Sequence, residues 1–299
     1  MLEYVKEFLK MNDVEYRENV NLKSLSPIRI GGNAEIVAYP DSALKFIRVL
    51  RFLGMLKCKY RILGRMSNVL PSDNGYDGVI IKTDRIRKFY VTSNTLYTYC
   101  GITTAILAGE MCRAGLSGLE ELSGIPGSIG GAIFGNAGAF GKEIADAVSE
   151  VTFYSPADDC VYTATAGEID FSYRNSGFKR GLGHIISARL NLTHSDKDLV
   201  AARMKNVKEK RERTQPVGEL SLGSTFKRPH GELPSAKMLD ECGLKGCSIG
   251  AAEISKKHAG FIITRGGALA EDYIALSDYA SNKVYEKFGV RLEREVELL

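Results

Sequence analysis

Three short segments carry the side chains best suited to chemistry. In Phe171-Ser-Tyr-Arg-Asn-Ser-Gly-Phe178, Arg174 stands among aromatic and small polar residues. A planar guanidinium binds a carboxylate through two parallel hydrogen bonds, so Arg174 is a candidate clamp; a surface arginine after a strand is the plainer alternative. In Ser221-Leu-Gly-Ser-Thr-Phe-Lys-Arg-Pro229, Ser224 follows a glycine just before an expected apolar-aromatic strand. Its hydroxyl can donate a proton or cap a turn, and with no GxSxG pattern a hydrolase nucleophile elbow is not indicated. At the C-terminus Glu293, Glu295 and Glu297 alternate with Leu292, Arg294, Val296 and Leu298. Period 2 puts the three glutamates on one strand face, either wholly solvated or with one turned into a cleft. His258, in Lys256-Lys-His-Ala-Gly-Phe261, stands at a strand entrance, structural or catalytic.

Two further segments offer backbone rather than side chains. Gly124 to Gly141 (GIPGSIGGAIFGNAGAFG) holds seven glycines in 18 residues, where the whole-chain content of 31 in 299 gives about two. Such density lets N–H groups approach a ligand closely and line an anion-binding nest suited to a pyrophosphate. The alternative is a packing segment where backbones touch. It is neither a Walker loop nor a GxGxxG fingerprint, which weighs against a nucleoside triphosphatase and against an ordinary nicotinamide dehydrogenase. In Leu63-Gly-Arg-Met-Ser-Asn-Val-Leu70 a strand ends at Gly64 and a loop brings Ser67 and Asn68, able to bond a phosphate or to close a plain turn.

Composition narrows the classes. The 40 basic and 36 acidic residues leave a net charge of +4, too even to demand nucleic acid and compatible with an anionic substrate. The basic residues between Arg203 and Arg213 crowd one helix, but Glu209 and Glu212 interrupt them, so a solvated face is expected. No apolar run approaches a membrane span, and the N-terminus lacks the pattern of a signal peptide. Six cysteines without a CxxC pair, and four histidines without a cluster, point to reduced thiols and no metal.

The elements that must position these residues can be read from periodicity. Helices are expected over 2–11 (Val5, Phe8 and Leu9 inward), from Ser42 to about Leu53 (Leu44, Ile47 and Leu50 inward), over 103–114, 196–213 and 270–288. Strands are expected at 35–39, 60–63, 79–83, in a hairpin of 89–91 and 96–99 about Ser93-Asn94, and near 147–155, 160–165, 184–192, 224–226, 251–254, 260–264 and 290–298. Short, hairpin-linked strands mixed with helices favour an α+β fold over a regular doubly wound sheet.

Taken in order, LGRMSNVL, GIPGSIGGAIFGNAGAFG, FSYRNSGF, GSTFKRP, SKKHAGFI and KFGVRLEREVELL resemble the UDP-N-acetylenolpyruvoylglucosamine reductase family, from about Arg29 to the C-terminus. The resemblance implies a vanillyl-alcohol-oxidase-type FAD-binding domain of two α+β subdomains over 1–194 and an α+β substrate-binding domain over 195–299. It implies FAD as cofactor, NADPH as hydride source and a UDP-sugar enolpyruvyl ether as substrate. It places the catalytic arginine on Arg174, the proton-donating serine on Ser224 and the catalytic glutamate on Glu295. Cofactor contacts fall on Gly64, Arg65, Met66, Ser67, Asn68, Ile125, Pro126, Gly127, Gly130, Gly131 and Ala137, and substrate contacts on Arg174, Arg228 and Phe140. Arg174 and Ser224 are only 50 positions apart, like the family form that lacks an extra tyrosine-bearing loop. Arg65 and Met66 replace glycines, Phe140 a tyrosine and Arg228 an asparagine common in the family. A cytoplasmic monomer with no nucleic acid partner, membrane span or metal is implied. Rival readings are another flavin oxidoreductase of the same fold acting on a sugar or hydroxy acid, a non-catalytic nucleotide-sugar binder, and a nucleic-acid-binding protein.

Overall fold

Ser42 accepts a hydrogen bond from the Lys45 N–H and so starts the helix Ala43–Met55. That start puts Phe46, Val49, Leu50 and Leu53 on the buried face and leaves Leu44 59% exposed. The inward face is thus rotated from the expected stripe: Leu50 is buried and Ile47 packs partly buried at its border, while 46, 49, 50 and 53 satisfy the i, i+3, i+4, i+7 spacing. The computed structural model describes residues 1–229, 231 and 233–299.

The chain divides into two compact units: Met1–Glu18, Glu35–Arg65 and Gly78–Glu209 form one, and Asn19–Ala34, Met66–Asp77 and Lys210–Leu299 the other. The first unit has two cores. One lies under the helices Leu2–Met11 and Ala43–Met55, with Val5, Leu9, Phe46, Leu50, Ile36 and Ile81, and Phe8 stacks on Phe52 at 3.9 Å between centroids. A four-stranded sheet runs in the order Glu15–Asn21, Asn33–Tyr39, Tyr76–Lys82, Tyr60–Leu63. Its last pair is parallel, with Leu63 opposite Lys82. The other core lies on a five-stranded antiparallel sheet, in the order Cys160–Thr165, Val148–Ser155, His184–Asn191, Thr95–Tyr99, Phe89–Thr92. Its expected hairpin turns at Ser93, whose φ is +54°. The helices Thr104–Arg113 and Ile129–Phe134 supply Leu107, Met111, Ile129 and Ile133 to this core.

In the second unit a four-stranded antiparallel sheet, Leu220–Ser224, Phe261–Thr264, Ala252–Ile254, Ser248–Ile249, joins the helix Ala270–Phe288. Ile28, Ile30 and Leu70 enter this core beside Leu222, Ile262, Tyr273 and Leu276. The mixture is α+β. Among the described residues, no helix is long and apolar enough to cross a membrane.

Some expectations shift. Ser224 ends a strand rather than preceding one: the strand is Leu220–Ser224, and a bulge separates Ser221 from Ser224. The expected strand over 290–298 shrinks to a bridge of Arg294 with Phe226 and a short strand Glu297–Leu298 parallel to Val69–Leu70. Leu292 and Val296 are buried as the alternation expects, but Leu298 is 47% exposed, because the segment changes partner midway and never runs along one neighbour. The strand Glu15–Asn21 and the helices Ile129–Phe134 and Ser235–Glu241 have no counterpart in the periodicity reading. The first is mostly polar and exposed, and the other two are too short for a helical pattern to show.

Candidate active site

After Leu63 the first unit's chain leaves its strand at Gly64. The N–H groups of Gly64 and Arg65 make no hydrogen bond to another described residue, and in the second unit the same holds for Met66, Ser67 and Asn68. Met66 is 3% exposed with φ +57°, a left-handed conformation costing a non-glycine residue about 1–3 kcal/mol. Such a turn among unpaired amides is the geometry of an anion nest. Where a glycine would relax this turn, Met66 holds it by burying its side chain, while the Arg65 side chain is exposed. Gly64 has no room for a side chain: a Cβ there would stand 2.3 Å from Ser128 Oγ. The first unit thus brings the 64–65 turn against the glycine-rich segment. The backbone cradle and the unpaired amides fit a diphosphate-bearing cofactor.

The glycine-rich segment divides into two kinds of residue. The N–H groups of Gly127 and Ser128 have no acceptor among the described residues, whereas that of Gly130 donates to Cys100 O at 2.8 Å and that of Gly131 to Ser128 Oγ at 3.3 Å. A Cβ at Gly130 would lie 2.8 Å from Cys100 Cβ. Gly130 therefore serves close packing, and what it and Gly131 can offer a ligand is a bare surface rather than a free donor. The Ile125 N–H is taken by Leu122 O, and the Ala137 N–H by Ala132 O at 2.8 Å; Pro126 has no N–H to give.

Arg174 lies against the end of the same segment. Its Nη2 donates to Gly138 O at 2.9 Å and Nη1 to Asn136 O at 3.4 Å. Glu143 Oε1 lies 3.6 Å from Nη1, and the Tyr173 ring stands 4.9 Å from the guanidinium carbon. The backbone at Arg174 is left-handed, φ +53°, so strain is stored where the side chain is aimed. Asn136, 1% exposed, is a positioning residue the sequence reading missed. Its Nδ2 donates to Glu143 Oε2 at 2.7 Å and to Ser172 O at 2.9 Å, tying the arginine segment to the glycine-rich one. Ser176 adds a bond from its hydroxyl to Phe134 O at 2.7 Å. Phe140 lies in the same stretch, with φ +53°.

The second unit brings Ser224 and Glu295 onto neighbouring chains. The Glu295 N–H donates to Thr225 O at 2.9 Å and the Thr225 N–H to Gly260 O at 2.8 Å. Ser224 itself is exposed and pairs with Phe261 across the sheet. Thr225 is buried and accepts the Tyr273 hydroxyl at 3.1 Å and the Ile262 N–H at 3.2 Å on Oγ1. Asn68, expected only as a cofactor contact, donates its side-chain amide to Glu295 O at 3.0 Å. Of the other two C-terminal glutamates, Glu293 is exposed and pairs with Lys227, and Glu297 continues into the short terminal strand. Arg228 is exposed in the loop after this strand. His258 Nδ1 accepts the Gly260 N–H at 3.1 Å, and burial pushes its pKa below the usual histidine value. The ring stands edge-on to Phe261, centroids 4.9 Å apart. The first unit holds Arg174 and the second holds Ser224 and Glu295.

Residues 34–163 match the FAD binding domain family, and residues 215–299 match the UDP-N-acetylenolpyruvoylglucosamine reductase C-terminal domain. A UDP-N-acetylenolpyruvoylglucosamine reductase of Caldicellulosiruptor bescii is 38% identical over 98% of this chain and 93% of its own. One of Carboxydothermus hydrogenoformans is 40% identical over 94% of this chain and 93% of its own. The crystal structure of the reductase from Thermus caldophilus superposes with a TM-score of 0.80 at 32% identity, covering 95% of this chain and 98% of that one. A berberine bridge enzyme variant is similar in fold alone, with a TM-score of 0.51 at 15% identity over 64% of this chain and 44% of its own.

Proposed function

The chain belongs to the UDP-N-acetylenolpyruvoylglucosamine reductase family, and from that premise we propose how its own residues carry out the reaction. It is an FAD-dependent reductase that uses NADPH to convert UDP-N-acetylglucosamine enolpyruvate to UDP-N-acetylmuramate, a precursor of peptidoglycan. FAD supplies, when bound, a hydride acceptor for NADPH and a hydride donor for the enolpyruvyl double bond. As domains we propose the contiguous parts 1–194 for the cofactor and 195–299 for the substrate, with 19–34 and 66–77 contributed by the first part to the packing of the second.

Residues Gly64–Asn68, with Gly127, hold the cofactor's diphosphate through main-chain N–H groups; Ile125, Pro126, Gly130, Gly131 and Ala137 shape the surface beside it. Arg174 binds the substrate carboxylate and stabilises the negative charge that grows there during hydride addition, an effect strongest where water is excluded. Ser224 delivers the proton to the α-carbon. Glu295, as a carboxylic acid, donates a hydrogen bond to the same growing anion. Arg228 and Phe140 contact the nucleotide sugar. The protein works as a monomer in the cytoplasm, without nucleic acid.

The observation that supports this reading most is the pairing of the Glu295 N–H with Thr225 O, which sets the proposed acid beside the proposed proton donor from 71 positions away. The test is a visible spectrum of the purified protein, followed anaerobically. Yellow protein should bleach with NADPH and recolour on adding the enolpyruvyl UDP-sugar. A bleached protein that stays colourless with that sugar rules the reading out.

A further inference from the structure

Behind the Gly64 turn sits a buried charge. Lys82 ends its strand opposite Leu63 and is 2% exposed. Its ammonium donates to Gly64 O and lies 3.1 Å from Asp84 Oδ2. Burial pulls its pKa below the ordinary lysine value, against the pull of Asp84. A buried ion pair is no better for stability than an apolar side chain of the same volume, so packing alone gives no reason for a lysine here.

What an ammonium does that an apolar chain does not is hold one carbonyl in one direction. The Gly64 C=O and the Arg65 N–H belong to the same peptide plane, and no peptide bond among the described residues is cis. In a trans peptide the two groups point in opposite directions. Holding the carbonyl toward Lys82 therefore aims the Arg65 N–H away from the buried charge, and that N–H has no acceptor among the described residues. The ammonium also polarises the peptide it grips and makes its N–H a stronger donor. Ser128 and the unpaired Gly127 N–H belong to the segment that Gly64 abuts.

We propose that Lys82, steadied by Asp84, is a positioning residue that turns the Gly64–Arg65 peptide so that its N–H meets the diphosphate of FAD. This rests on the assignment of Gly64–Asn68 as the cofactor turn. Lys82 touches neither cofactor nor substrate; it acts through the peptide it holds.

The test compares the apoprotein with Lys82→Met, which keeps the length and removes the charge and the donors. Binding of FAD, of ADP, which shares the diphosphate, and of riboflavin, which lacks it, is measured for both. The loss of one charge-assisted donor predicts FAD and ADP binding weakened about 10- to 100-fold, with riboflavin binding unchanged. Wild-type affinity of Lys82→Met for FAD and ADP overturns the proposal, and so does an equal loss for all three ligands, which marks a general structural defect. Should Lys82→Met not fold, the wild-type protein decides: the Arg65 amide proton resonance should move downfield on saturation with ADP, and an unmoved resonance overturns the proposal. A wild-type protein that binds neither FAD nor ADP overturns the cofactor-turn assignment, and the proposal with it.

Discussion

A guanidinium that reaches carbonyl oxygens in two directions is already oriented before it meets a ligand. Arg174 bonds to Gly138 O and Asn136 O, and a guanidinium so held presents a planar fork suited to a carboxylate. Lysine has one compact charge and no fork. Arg174→Lys should therefore lower the rate of substrate reduction at least about tenfold, the smallest loss expected for a missing hydrogen bond to a charged group. Flavin bleaching by NADPH should stay near normal, and stopped-flow absorbance separates the two steps. Ser224 is exposed at the end of its strand while its neighbour Thr225 is buried. Because Thr225 makes the supporting hydrogen bonds, Ser224→Ala should keep the fold and the bound flavin. It should lose about 10²- to 10⁴-fold in substrate turnover; turnover near that of the wild type would remove Ser224 from its role.

Tyr60 and His184 carry a pH dependence at the scale of elements. They lie on different sheets of the first unit and share a hydrogen bond of 2.8 Å between Oη and Nε2. Burial lowers the His184 pKa from 6.5 to about 4. The unfolded chain then binds the proton first, so stability is complete above pH 6.5 and falls as the pH drops toward 4. One proton changes the folding equilibrium by about tenfold per pH unit across that window. His184→Asn should flatten this part of the curve of stability against pH, measured by denaturant unfolding; an undiminished slope would assign the dependence elsewhere. The glycine-rich segment shows a different kind of element-level constraint. Gly130→Ala should destabilise by about 1–3 kcal/mol through overpacking, since its Cβ would press on Cys100. Thermal unfolding with and without FAD reads this directly.

On the scale of the whole molecule, the second unit is not the C-terminal part of the chain by itself. Its core contains Ile28, Ile30 and Leu70, which are 0–1% exposed. Burying three such side chains contributes about 5–9 kcal/mol, comparable to the entire stability of a typical domain. A fragment of residues 195–299 should therefore lack a cooperative thermal transition and near-ultraviolet dichroism. A sharp transition in that fragment would show that these three side chains are dispensable.

Most elements were legible in the sequence because their causes are local. The helix Ala270–Phe288 follows the expected bounds, and Gly289 ends it with φ +69°; the hairpin at Ser93 and the cap at Ser42 follow from neighbours a few residues away. The motif order also led to the family, and with it to Arg174, Ser224 and Glu295 as candidates. Tertiary structure alone decided which glycine amides are free and which are packed, because that depends on where Cys100 and Ser128 come to lie. It alone joined Asn68 to Glu295, Asn136 to Arg174 and Lys82 to Gly64, bonds spanning up to 227 positions. A residue's periodicity and turn chemistry are set by its near neighbours, whereas a hydrogen-bond partner across the fold is chosen only when the packed elements bring two unsatisfied groups within reach.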